Sequence, residues 1–160
     1  MDSTDLNEFP RRKRLYHQAP SRVGLDAIFF ITICCHERGR NALCIQGVPD
    51  LLLRAADYYH SHSRWYLLLL VLMPDHLHVL AAFPTGEAMR KVVRSWKIYT
   101  SRQTKVKWQR DFFDHRIRRN ESLDEKASYI LENPVRAGLV EKADDWPYKV
   151  GSMLRIDRCG

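Results

Sequence analysis

The chain has 160 residues, of which 45% are hydrophobic, and it carries a formal net charge of +7. This length and composition predict one globular domain that buries its own core, with no internal repeat, low-complexity segment or second domain. The chain does not open with a basic segment followed by an apolar run, and its most apolar stretch, residues 66–73, is too short to span a bilayer. We therefore expect a cytoplasmic protein with no membrane partner.

The number and spacing of the cysteines argue against a disulfide framework or a structural zinc site. The four cysteines form no C-x-x-C pair, and two of them are adjacent, so they would point to opposite faces of a strand. This pattern favours buried thiols in a reducing compartment over disulfides or a structural zinc site. The cysteines are Cys34, Cys35, Cys44 and Cys159.

The positive charge is concentrated in one stretch of the sequence. Between Gly86 and Arg119 there are eleven lysines and arginines but only three acidic residues, and a second basic run occupies residues 11–14. Clustered cations favour a polyanion such as nucleic acid, although a solvated basic face has the same appearance in sequence. Residues 1–25 are polar and rich in turn formers, so we expect a basic arm there and one domain over residues 26–160.

The first half of the domain predicts a strand, a helix and a hairpin. Residues 27–35 are β-branched and aromatic, as in a strand, and residues 49–62 repeat apolar side chains at helical spacing after a proline. Residues 65–73 are apolar on both faces, which predicts a covered central strand. A proline-containing turn leads into a strand over residues 76–83, so the last two strands should pair antiparallel.

The second half predicts two further helices separated by a short strand or ordered loop at residues 107–119. Thr85 can cap a helix over residues 87–102, and a capping box opens another over residues 122–133, which ends where Pro134 disfavours helical geometry. The apolar stripe of the first of these helices is Met89, Val92, Trp96 and Tyr99. This order predicts an α+β fold, an antiparallel sheet with helices packed on one face, of ferredoxin-like type.

Two histidines in the predicted strand over residues 76–83 are candidate metal ligands. Side chains alternate between the faces of a strand, so His76 and His78 project from one face, about 7 Å apart along the strand. Two neutral imidazoles held in this way can bind a divalent cation. The alternative is a pair of polar residues on a solvated face, and the pair alone does not decide between them.

A predicted helix supplies two further candidate site residues, one with a phenol and one with an amide side chain. Tyr129 and Asn133 lie four residues apart in a predicted helix and therefore share one face. Beside the imidazoles, Asn133 would complete a site for Mg²⁺ or Mn²⁺ and Tyr129 would be a nucleophile. Taken separately, Tyr129 could equally be a packing aromatic and Asn133 a helix-terminal residue before proline.

Three segments together resemble the REP-associated tyrosine transposases, which are single-tyrosine HUH transposases related to the smallest insertion sequences. The segments are Met73-Pro-Asp-His-Leu-His-Val-Leu, Trp108-Gln-Arg-Asp-Phe-Phe-Asp-His-Arg-Ile-Arg and Tyr129-Ile-Leu-Glu-Asn-Pro-Val-Arg-Ala-Gly-Leu-Val. The resemblance extends from about Phe29 to Trp146. It implies an antiparallel HUH fold, a metal held by His76, His78 and Asn133, and Tyr129 as the nucleophile.

The resemblance also implies an activity and a substrate. Tyr129 would attack a DNA phosphodiester, forming a 5′-phosphotyrosine and a free 3′-hydroxyl, so that strands can later be rejoined. The implied partner is single-stranded DNA with a palindromic hairpin, and a monomer and a homodimer are both compatible. Candidate DNA-binding residues are Arg11, Arg12, Arg90, Lys91, Arg94, Lys97, Trp108, Arg110, Arg118 and Arg119, with cations for phosphates and the aromatic for an unpaired base.

Two other functions remain open at the level of sequence. A DNA hairpin-binding protein could keep the basic face without the cleavage step. A metal-dependent hydrolase of small molecules could use the histidines, but it would leave the basic stretch without a role.

Overall fold

A five-stranded antiparallel sheet organises residues 27–156, the part of the chain that the structure, a computed structural model, describes. The strands are β1 (Ile28–Cys34), β2 (Tyr66–Leu72), β3 (His76–Ala82), β4 (Phe113–Arg116) and β5 (Lys149–Val150), in the spatial order β4-β1-β3-β2-β5. The helices are α1 (Val48–Ser61), α2 (Met89–Thr104), α3 (Leu123–Leu131), α4 (Asn133–Arg136) and α5 (Met153–Ile156). The succession β1-α1-β2-β3-α2-β4 confirms the ferredoxin-like prediction, and β5 extends the sheet beside β2.

Helices cover both faces of the sheet, so the expectation that they pack on one face is wrong. One face of β3 carries His76, His78 and Leu80 and is called the histidine face below. Leu80 packs there against Ala127 and Ile130 of α3, whereas Leu77 and Val79 of the opposite face join the core under α1 and α2. The reason lies in β2, whose apolar side chains on both faces require cover on both sides.

The hairpin of β2 and β3 places the histidines at the centre of the sheet. In β3, His78 lies opposite Val71 of β2 on one side and opposite Thr32 of β1 on the other. The turn before β3 is held by the segment that follows β1, because Ala42 and Leu43 both donate backbone N–H groups to the Pro74 carbonyl, at 2.9 and 3.0 Å. The histidine strand is therefore fixed along both edges and at its start.

The first residue of α2 and the apolar stripe along it both differ from the predicted ones. Thr85 does not cap the helix, which begins at Met89 after a turn in which the Glu87 N–H bonds to the Pro84 carbonyl. Gly86 has φ +91°, a left-handed conformation that interrupts any continuous helical entry. Tyr99 is exposed and does not belong to the apolar stripe, which continues through the buried Thr100 instead.

The tyrosine-bearing segment consists of two short helices. Ser122 caps α3 as predicted, its hydroxyl oxygen accepting a hydrogen bond from the Glu125 N–H at 3.2 Å. The helix ends at Leu131, and after the junction residue Glu132 the chain continues helically as α4. Within residues 27–156, no helix is both long and apolar enough to cross a membrane.

Candidate catalytic and metal site

His76 and His78 form a close pair on the histidine face. Their ring centroids lie 4.9 Å apart in an edge-on arrangement, and both residues are buried. The ring of Phe30 stacks on His78 with a centroid distance of 5.3 Å. These contacts hold the two imidazoles side by side, as the strand periodicity predicts.

Asp75 holds one nitrogen of His76. Its Oδ1 lies 2.7 Å from His76 Nδ1, while Oδ2 accepts from Arg38 Nε at 3.0 Å and from the Gly39 N–H at 2.7 Å. Burial alone raises the pKa of Asp75, but the hydrogen bonds from His76 and Gly39 and the charge of Arg38 together bring that pKa well below its usual range. Because an ionised carboxylate can only accept, His76 Nδ1 carries a proton in this contact, so Nε2 is the nitrogen available to a metal in the neutral ring.

Thr32 contacts the corresponding ring nitrogen, Nδ1, of His78. The Thr32 hydroxyl lies 2.9 Å from His78 Nδ1 and can accept its proton, which leaves Nε2 as the ligand nitrogen. Burial lowers the pKa of His78 well below its ordinary value, and the neighbouring charges of His76, Arg136 and Arg38 lower it further. The ring is therefore neutral at physiological pH, the form that binds a metal.

This donor set fits a divalent cation with further ligands from water or substrate. Each imidazole has Nδ1 engaged by an oxygen, the arrangement that orients metal-binding histidines through their outer contacts. Among residues 27–156, no group of three or more histidine, cysteine, aspartate or glutamate side chains could hold a metal ion. The two imidazoles therefore need an amide, water or phosphate oxygen to complete the coordination.

Tyr129 lies on α3, the helix that packs against the histidine face. Arg136 holds this tyrosine in two ways: its guanidinium carbon lies 4.0 Å from the ring centroid, and its Nη2 donates to the Tyr129 carbonyl at 2.7 Å. The same guanidinium acts electrostatically on His78. Arg136 thus lies against the ring and the carbonyl of Tyr129, a position that the sequence analysis did not assign to it.

Asn133 is half-buried at the first position of α4, on the same tyrosine-bearing segment. In the described part of the chain, no side-chain hydrogen bond joins Asn133 to His76 or His78. The structure therefore brings the two histidines together and sets the tyrosine-bearing segment on their face, and it shows Asn133 without a direct link to them.

The predicted DNA-binding residues fall into three groups. Arg11 and Arg12 lie outside the described residues. Lys97 and Trp108 are engaged within the fold: the ammonium of the buried Lys97 donates to the carbonyls of Gln109 and Arg110 at 2.7 and 3.0 Å, and the indole N–H of Trp108 donates to Thr100 at 3.0 Å. The remaining cations are exposed, namely Arg90, Lys91, Arg94, Arg110, Arg118 and Arg119.

The polar groups of Lys97 and Trp108 thus join α2 to the loop that precedes β4, and contact of these residues with DNA stays a prediction. Sequence analysis did not identify two residues that contact the site, Thr32 and Arg38. Thr32 is one of several β-formers in its strand, and Arg38 is one of several charges in a loop, so only the strand register and the loop path reveal their contacts.

Comparison with known proteins assigns the family. The profile described as "Transposase IS200 like" matches residues 30–132. A "Putative REP-associated tyrosine transposase" of Haemophilus influenzae is 26% identical over 140 residues, covering 76% of this chain and 77% of its own length. The "REP-associated tyrosine transposase" of Escherichia coli is 30% identical over 83 residues, covering 49% of each chain.

A solved structure has the same fold. It is described as a REP-associated tyrosine transposase bound to a REP hairpin, with a TM-score of 0.67, 23% identity, and coverage of 87% of this chain and 81% of the other. Together with the five-stranded sheet, these similarities show that the chain belongs to the IS200-like transposase family. Within that family the chain is similar to REP-associated tyrosine transposases, the group that the three sequence motifs resemble.

Asp75→Asn tests the fit of the histidine pair to a metal. Asparagine retains the shape of the side chain but loses the negative charge that accepts from His76 Nδ1, so the orientation and tautomer of that ring are no longer fixed. We expect the affinity for Mn²⁺, measured by isothermal titration calorimetry, to fall by about 10- to 100-fold.

Asp57→Asn, a change of a carboxylate on α1 away from the histidine face, serves as the matched control and should leave the affinity unchanged. Equal Mn²⁺ binding by the Asp75→Asn variant and the parent protein would contradict the role given to Asp75.

Proposed function

We propose that this transposase nicks and rejoins single-stranded DNA through a 5′-phosphotyrosine intermediate, with Tyr129 as the nucleophile and a divalent cation, Mg²⁺ or Mn²⁺, held by His76 and His78. Asn133 is the proposed third protein ligand. The substrate is DNA that bears a palindromic hairpin, since a structural relative is described in complex with a REP hairpin. The reaction takes place in the cytoplasm, and both a monomer and a homodimer are compatible with it.

One observation carries this proposal. The helix bearing Tyr129 packs on the same face of the sheet as His76 and His78, and Arg136 contacts the tyrosine while acting electrostatically on His78. A tyrosine on the opposite face would be separated from the imidazoles by the whole sheet. Because this helix and the imidazoles share one face, the proposal places the scissile phosphate between Tyr129 and the two histidines.

The cleavage step balances without a nucleotide cofactor. The Tyr129 phenol oxygen forms a bond to phosphorus and loses its proton to solvent, while the bond from phosphorus to the 3′-oxygen breaks and that oxygen gains a proton. A bound divalent cation would supply a Lewis acid that draws charge from the phosphate oxygens. Rejoining reverses these bonds: a 3′-hydroxyl attacks phosphorus, and the phenol is restored.

Arg38 and Arg136 add positive charge on this side of the sheet. Arg38 contacts the carboxylate that holds His76, and Arg136 contacts Tyr129, so both guanidinium groups lie beside residues of the proposed site. Arg38 is fixed by its ion pair with Asp75, and Arg136 by the Tyr129 ring and carbonyl. Preorganised guanidinium groups of this kind stabilise charge that develops on phosphate oxygens during displacement.

A groove on the outer side of α2 is the proposed grip for the DNA backbone. Its volume is about 450 Å³, and cations line it together with the exposed Ile98 and Tyr99. The lining cations are Lys91, Arg94 and Arg102. Since α2 packs on the face opposite the histidines, this groove would hold a part of the DNA away from the cleavage point.

Tyr129→Phe tests the proposed chemistry. Incubation of the full chain with hairpin-bearing single-stranded DNA and Mn²⁺ should produce a covalent protein–DNA adduct, visible as a slower band in a denaturing gel. The variant lacks the attacking oxygen, so we expect no adduct although hairpin binding persists.

Tyr58→Phe is the matched control, because it removes an exposed phenol from α1, outside the groove, and should leave the adduct intact. Binding of the hairpin by the parent protein without any adduct, in either Mg²⁺ or Mn²⁺, would instead favour a hairpin-binding protein. Hydrolysis of a small phosphate ester that is indifferent to Tyr129 would favour the hydrolase.

The double variant Lys91→Ala, Arg94→Ala tests the groove on α2. If both cations neutralise phosphates, affinity for the hairpin should fall roughly tenfold, and the slope of log affinity against log salt should become shallower by about 1.5. Fluorescence anisotropy at several salt concentrations measures both quantities. An unchanged slope would show that the groove does not contact phosphates; Arg54→Ala, which removes an exposed arginine from α1, is the control.

A further inference from the structure

Phe113 is an exposed aromatic side chain in line with the histidine pair. It lies directly opposite Thr32 in β1, and Thr32 lies directly opposite His78 in β3. Directly paired residues of neighbouring strands point to the same face, so Phe113, Thr32 and His78 form one row across the sheet. With strands about 4.8 Å apart, the backbones of Phe113 and His78 are separated by roughly 10 Å.

The exposure of Phe113 is unusual for its position. Its relative exposure is 51%, and β4 is the edge strand of the sheet, where an exposed apolar side chain favours unwanted association. The preceding residue, Phe112, instead packs against the core of the opposite face, with the Lys97 ammonium 5.9 Å from its ring centroid. Two adjacent phenylalanines therefore have different surroundings, and only Phe113 is presented to solvent beside the candidate catalytic face.

The charges around this edge favour a nucleic acid over an apolar partner. Arg118 and Arg119 follow β4 and are exposed, and at the candidate site Arg38 is paired with Asp75 while Arg136 lies against Tyr129. An exposed aromatic ring with exposed cations next to it suits a single strand, whose phosphates bind the cations while a base stacks on the ring.

The segment before β4 is joined to α2, the helix that carries the proposed groove. Lys97 bonds to the Gln109 and Arg110 carbonyls, and Trp108 donates to Thr100. The β4 edge is therefore attached to the helix of the first proposed DNA contact, and Phe113 lies on the histidine side of that edge.

We propose that Phe113 is a stacking platform for an unpaired base next to the phosphate that Tyr129 attacks. The proposal deepens the function proposed above and rests on it for the position of the scissile phosphate. The added site binds a nucleobase by stacking alone. It does not distinguish one base from another by hydrogen bonds, because a phenylalanine ring has no donor or acceptor.

The experiment compares two DNA probes in EDTA, where no metal-dependent cleavage occurs. One is a hairpin with a short unpaired flank carrying 2-aminopurine, and the other is the same hairpin without the flank. For Phe113→Ala we expect affinity for the flanked hairpin to fall about tenfold, loss of 2-aminopurine quenching, and an unchanged salt slope. Affinity for the bare hairpin should remain at the parent level, and Phe113→Trp should restore flank binding.

Tyr58→Ala is the matched control, because Tyr58 is an exposed aromatic on α1 and packs on His62 away from the histidine face. Equal affinity of Phe113→Ala and the parent protein for the flanked hairpin would overturn the proposal, and so would equal weakening of both probes. Conversion of a dimer to a monomer by Phe113→Ala, seen by sedimentation, would assign this edge to contact with a second copy and overturn it too.

The adduct assay separates this proposal from the function on which it rests. If the parent protein forms a Tyr129-dependent adduct but Phe113→Ala binds the flank normally, only the stacking platform fails. If the Phe113 effect is present and no adduct forms, the base-binding site remains and the cleavage function fails.

Discussion

Two imidazoles with their Nδ1 atoms already engaged are the constraint on which the site depends. The Asp75 carboxylate and the Thr32 hydroxyl each contact one ring, so both rings are oriented before any cation arrives. Asp75 is itself held by Arg38 and the Gly39 N–H, and its turn by the segment after β1. Thr32 lies in β1, and Arg38 and Gly39 lie in the loop that follows it. The site therefore depends on the pairing of β1 with β3.

The break after α3 gives the tyrosine its surroundings. Pro134 has no N–H to donate to the Ile130 carbonyl one turn earlier, and α4 begins beside it. Arg136 of α4 donates to the Tyr129 carbonyl at 2.7 Å, and its guanidinium carbon lies 4.0 Å from the Tyr129 ring centroid. The two short helices therefore bring a cation against the ring of the proposed nucleophile.

Sequence patterns predict much of this fold but less of its site. Composition correctly predicts β1 and β2, the proline-containing turn correctly precedes β3, and the motif of Ser122 and Glu125 correctly marks the start of α3, because these signals depend on neighbours in the chain. Thr85 does not cap α2 because a left-handed glycine interrupts the helix entry, and Lys97 is buried because carbonyls of the loop between α2 and β4 bind its ammonium. Thr32, Arg38 and Phe113 acquire their positions only through strand pairing and loop path, which local sequence does not encode.

The most direct test of the account is paramagnetic broadening by Mn²⁺ of the tyrosine side-chain NMR signals in the full chain. If His76 and His78 hold the cation beside the nucleophile, substoichiometric Mn²⁺ should broaden the Tyr129 ring signals first. Signals of Tyr58 and Tyr99, which lie on α1 and α2 beyond the opposite face, should persist. Broadening of Tyr58 or Tyr99 before Tyr129, or broadening of Tyr129 that survives replacement of both histidines by alanine, would contradict the account.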